Sequence, residues 1–137
     1  MRIAPLVLAI CTCTYACGPT VYPIRGQHHG APFEGELSVE LLHQQRRFLL
    51  NVRGLPEPQR LSPTARFYIA WIVSPRRGAA RISRVDFDDL ERIARFDERS
   101  DDEGDLVRIT AEANSWAREP SAVVLLERQI EGWVLSD

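Results

Sequence analysis

A chain of 137 residues that is 45% hydrophobic and 26% charged has enough apolar material for one domain with a buried core, and too much to stay disordered. Its formal net charge of -2 and pI of about 5.9 provide no basic excess for nucleic acid and no acidic tail, so no nucleic-acid partner is expected. All 17 basic residues are arginines, which leaves a surface of planar, multi-donor cations suited to pairing with carboxylates.

The chain opens with Arg2 followed by an uncharged stretch over 3–16, the pattern of a secretory signal peptide and too short for a stable membrane span. The three cysteines, Cys11, Cys13 and Cys17, all fall in or directly after it. A zinc site is disfavoured, because four ligands must meet in a folded frame and no second half of such a set exists. A disulfide between two of them is compatible with an oxidising compartment, and cleavage after Ala16 that leaves Cys17 as a free thiol is the main competing reading. Tyr15-Ala16-Cys17-Gly18 resembles the lipobox of bacterial lipoproteins, with the small Ala16 before the cysteine and Thr14 where the family usually has Leu. Cys11, with Leu8 upstream but the bulky Ile10 before it, is the second choice. The resemblance implies cleavage before Cys17 and acylation of Cys17, a lipid anchor of two or three chains that holds where one chain does not. Gly18, in place of the aspartate that retains enteric lipoproteins at the inner membrane, points to the outer membrane of the cell envelope.

Residues 17–33 carry three prolines among several glycines with no apolar period, and are expected to form a flexible tether. His28 and His29 read as solvated tether residues whose rings point apart. From residue 34 the pattern is of strands. Residues 36–41 alternate, as do Phe48, Leu50 and Val52, with a turn at LHQQR between them. The Pro-rich stretch 54–63 is a long connection crossing between sheets, and 66–73 is apolar on both parities, as in a strand covered on both faces. A turn over 74–78 leads to a strand over 81–87. The segment 88–98 fits either helix or strand and is read as strand from its neighbours. Strands over 106–112 and 122–130 follow. The expected fold is an all-β, antiparallel Ig-like β-sandwich of about seven strands over 34–137.

Gly54-Leu55-Pro56, the run Tyr68–Val73, Ile109–Glu112, and Pro120-Ser121 with the valines and leucines of 123–126 resemble the small β-sandwich modules of bacterial envelope lipoproteins. They are also similar to the extracytoplasmic domain of anti-sigma-K-type factors, over roughly residues 34–131. That resemblance implies the fold alone, since the chain lacks that family's cytoplasmic helical part and transmembrane helix.

No nucleophile-base-orienter set presents itself: His28 and His29 lie in the tether, His43 in a turn, and the Gly-x-Ser-x-Gly, phosphate-loop and His-Glu-x-x-His motifs are absent. The chain is therefore read as non-catalytic and without a cofactor, with a carboxylate-based hydrolase as a distant rival. Asp101, Asp102, Glu103 and Asp105 beside Gly104 form the sharpest candidate for a metal, an oxygen-ligand calcium site. The favoured reading is a solvated hairpin tip balanced by arginines. Trp71 reads as core. Trp116, flanked by Asn114 and Arg118, is the candidate ligand-binding site for a sugar or a protein, although capping the end of the sandwich is favoured. The expected partners are a membrane, through the lipid anchor, and an envelope protein or glycan. The alternative is a secreted, unlipidated, carbohydrate-directed domain.

Overall fold

In the stretch from Arg46 to Val52 every second side chain is buried: Arg46, Phe48, Leu50 and Val52 point inward, each 2% exposed or less. Such strict period-2 burial is what a strand with one covered face produces, and burying each of the three apolar side chains contributes about 1.5–3 kcal/mol. The computed structural model describes residues 18–133, and the expected signal peptide and Cys17 lie outside the described residues. Eight strands follow in order: β1 (Thr20–His28), β2 (Ala31–Leu42), β3 (Gln45–Arg53), β4 (Phe67–Ser74), β5 (Gly78–Asp88), β6 (Ile93–Ser100), β7 (Gly104–Glu112) and β8 (Val124–Trp133). A helical turn, α1 (Pro58–Leu61), lies in the long connection between β3 and β4.

All neighbours pair antiparallel in one eight-stranded sheet of order β1-β2-β3-β6-β5-β4-β7-β8. Strands β4 to β7 form a Greek key, with β7 returning to lie beside β4. β5 makes the corner. Its first part, Gly78 to Val85, pairs with β4, whereas Asp86 to Asp88 pair with Ile93 to Arg95 of β6. A register shift between Ala70 and Trp71 accompanies that bend, as expected of a bulge where a sheet turns a corner. The two outermost strands, β1 and β8, then come face to face, so the sheet nearly closes into a barrel. Across this seam the Glu131 N–H donates to the Tyr22 hydroxyl at 2.9 Å, and the Arg128 guanidinium lies over the Tyr22 ring, 5.3 Å from its centroid.

The all-β, antiparallel expectation holds. The structure differs from the Ig-like sandwich of about seven strands in three places, each with a physical reason. First, β5 runs on from one half of the sheet into the other, so two separate sheets do not form. Second, most of the expected tether is strand: β1 and the start of β2 pair along their whole length, from Thr20↔Val39 to His28↔Ala31. Ile24 is 4% exposed and Phe33 6%, so both belong to the core. Pro23, read as a linker breaker, sits on an outermost strand, where a missing N–H costs no ladder bond. Third, Asp89 to Arg92 form a turn before β6 begins. There Asp88 accepts the N–H groups of Leu90 and Glu91 at 3.0 and 3.1 Å.

β4 is buried on both faces, as its apolar run predicted. Tyr68, Ala70 and Ile72 join the interior core, while Ile69 and Trp71 lie on the outer face and are still 0% exposed. The loop 113–123 folds back over that face. Arg81 of β5 donates to the Ser115 and Ala117 carbonyls at 2.6 and 3.4 Å. Beneath the loop a buried relay runs from the Trp71 indole N–H to Thr110 Oγ1 (2.8 Å), and from that hydroxyl to the Glu112 carboxylate (2.6 Å). Glu112 also accepts the Ser121 N–H at 2.8 Å.

Candidate functional site

The barrel has two ends. One carries Gly18, the start of β1, the turn at His43 and Gln44, the β4–β5 turn, the β6–β7 link and the end of β8. The other carries the β1–β2 turn, the β3–β4 connection, the turn after β5 and the start of the 113–123 loop.

Trp116 is 80% exposed, which corrects the expectation that its ring caps a sheet end. The ring stands on a braced loop: Asn114 Oδ1 accepts the Trp116 N–H at 2.8 Å, and the Ala117 N–H donates to the Asn114 carbonyl at 3.3 Å. Arg118 is exposed beside it. Asn114 therefore shapes the backbone instead of facing a ligand. What the trio offers is one large flat apolar face with a cation nearby.

The four acids do not converge. Glu103 is buried and its carboxylate is taken by Arg76 and Arg77, both at 3.2 Å. Asp102 accepts the Ser100 hydroxyl at 3.2 Å, and Asp101 is exposed. No group of three or more His, Cys, Asp or Glu side chains that could hold a metal occurs among the described residues, so the calcium reading of Asp101, Asp102, Glu103 and Asp105 is not supported. His28 and His29 also depart from expectation. His28 closes β1, and the two rings meet edge to face at 4.2 Å between centroids instead of pointing apart. Burial, then the neighbouring His29 and Arg60, hold the His28 imidazole below its ordinary pKa.

The feature that the sequence reading missed is Arg46, at the Gly18 end. The residue is 2% exposed, and its guanidinium lies 5.2 Å from the ring centroids of both Phe48 and Trp133. Nη1 donates to the carbonyls of Gly104 (3.0 Å) and Glu131 (3.4 Å), and Nη2 to that of Asp102 (3.1 Å). No carboxylate pairs with it among the described residues, and Nε–H has no partner. Burial lowers its pKa from the ordinary arginine value. Arg46 lines a cleft of about 190 Å³ with Gly18, Tyr22, Val39, Leu41 and Trp133. Trp133 and Gly132 also wall a second cleft of about 290 Å³, beside Glu103 and Arg76. At the opposite end a groove of about 340 Å³ next to α1 is lined by Glu57, Asp86 and Asp89 together with Arg66 and Arg84, a mix of both signs with one acid in excess.

No protein-family model, curated protein or solved structure matches this chain.

Proposed function

We propose that the protein is a membrane-anchored lipoprotein of the bacterial envelope, acylated on Cys17, whose β-domain binds or supports an envelope partner without converting it. The observation that carries this reading is the distance from Cys17 to the fold. β1 begins at Thr20, and the three residues 17–19 span at most about 10 Å. An acyl anchor there brings the Gly18 end of the barrel to the membrane surface and turns the opposite end toward the periplasm or the cell exterior. Two or three acyl chains are needed for stable anchoring, at about 0.8 kcal/mol per buried CH₂, and no described helix is long and apolar enough to cross a membrane. Cell fractionation tests the reading: wild type sediments with membranes and Cys17→Ala is released to the soluble fraction. Wild type recovered wholly in the soluble fraction would sink the proposal.

A second reading, a secreted domain directed to carbohydrate, is favoured by one feature, the exposed Trp116 on its braced loop. An aromatic face of that kind stacks on a sugar ring or anchors a protein contact. A glycan array with wild type and Trp116→Ala separates the two: sugar binding lost in the variant supports the carbohydrate reading, and an array with no signal removes it.

A further inference from the structure

A buried charge without an opposite charge is costly, several kcal/mol even after relaxation, and proteins normally pair it or neutralise it. Among the described residues Arg46 is such a charge. Three backbone carbonyls and two aromatic faces compensate it in part, through the three bonds described above. A guanidinium has five N–H donors, so among the described residues one Nη2–H and the buried Nε–H remain, and a ligand reaches Nε only by entering past the cleft wall. Donors left on two nitrogens of one guanidinium suit a single ligand bearing more than one anionic oxygen, the arrangement in which arginine binds phosphate and carboxylate best.

We propose that Arg46 and the cleft beside it form an oxyanion site that takes phosphate, either as the headgroup of a phospholipid or free. The cleft is small, about 190 Å³, enough for a phosphate with a short ester and not for a large ligand. Its walls include Gly18, the residue after Cys17, so a Cys17 anchor sets its mouth at headgroup depth. That position favours phosphate over other oxyanions. The acids at this end do not occupy the site. The Glu103 carboxylate is held by Arg76 and Arg77, that of Asp102 receives the Ser100 hydroxyl, and Glu131, which contributes to the cleft wall and gives Arg46 its carbonyl, is exposed and forms no ion pair with Arg46. The oxyanion site does not depend on acylation; only the lipid as its source does.

The test is to label the arginines of the full chain with ¹⁵N in nonionic detergent and follow the Arg46 Nε–H resonance. The added probes are inorganic phosphate against chloride at matched ionic strength, phosphatidylglycerol in mixed micelles with the detergent, and an uncharged galactolipid in the same micelles. The expected result is a saturable shift with phosphate on the order of millimolar, or with phosphatidylglycerol and not with galactolipid. The first places the source in free phosphate and the second in the headgroup. Arg46→Met, close to isosteric, is expected to fold and to lose the phosphate-induced rise in melting temperature seen in wild type. An Arg46 resonance unmoved by every probe overturns the proposal and leaves Arg46 as a plug for the barrel end. An equal shift with galactolipid also overturns it. So does a phosphate response that emerges only when residues 134–137 are deleted, since the chain's own carboxylates would then be the occupant. The wild-type resonance decides the matter even if Arg46→Met fails to fold.

Discussion

Thr110 stands in the middle of a buried relay, accepting from Trp71 and donating to Glu112, while Glu112 also holds the Ser121 N–H. Removing the carboxylate leaves a buried hydroxyl and a backbone N–H without an acceptor, at about 1–3 kcal/mol for each unsatisfied group. Glu112→Ala is therefore expected to lower the urea midpoint clearly. Trp116→Ala, on the same loop but exposed, should stay within about 0.5 kcal/mol of wild type. Tyr68 gives a pH signature. Its hydroxyl donates to the Pro56 carbonyl at 2.6 Å, and burial pushes the phenol pKa far above its ordinary value of 10.0. The folded state thus holds this proton more tightly than the unfolded chain. That contribution is complete below about pH 10 and is lost as pH rises above it. In an alkaline titration Tyr68 should ionise only with unfolding, and Tyr68→Phe should flatten the loss of stability above pH 10. At this scale the sequence was partly legible. Trp71 as core followed from its apolar neighbours, and Arg46 was signalled by its parity with Phe48, Leu50 and Val52, where a charge breaks an inward-facing run. The relay was not legible, because it joins residues 39 positions apart.

The strands show where periodicity decides and where it misleads. β3 and β4 stand where alternation and a two-faced apolar run put them. β1 was hidden because Pro23 and Gly26 interrupt it and further prolines and glycines flank it, although Tyr22 and Ile24 already mark an inward parity. A tether can be shortened freely, whereas an edge strand cannot. Deleting residues 20–28 should abolish the cooperative thermal transition seen by circular dichroism, and a chain that melts like wild type would return the segment to tether. Gly35 of β2 provides a finer test. A Cβ there would collide with the Asn51 carbonyl oxygen and lie 2.6 Å from the Val52 Cα, both backbone atoms of the paired β3. Gly35→Ala should cost about 1–3 kcal/mol, as overpacking does, read as a lower melting temperature. The corner at β5 was beyond the sequence reading, since a strand that changes neighbours partway along has the same alternation as one that does not.

For the molecule as a whole, the short span from Cys17 to β1 turns the anchor into an orientation. A long leash would leave the domain free to tumble, whereas on the proposed lipoprotein reading three residues would hold the Gly18 end, with Arg46 and its cleft, against the bilayer. Trp116 is carried on the loop that leaves the opposite end and folds back over the outer face, its ring exposed to solvent. All of this depends on Cys17. The most direct measurement is the intact mass of the mature protein from native membranes, beside a Cys17→Ala variant. The account predicts a chain that begins at Cys17 and carries two or three acyl groups, lost in the variant; a bare chain with an unmodified thiol would contradict it.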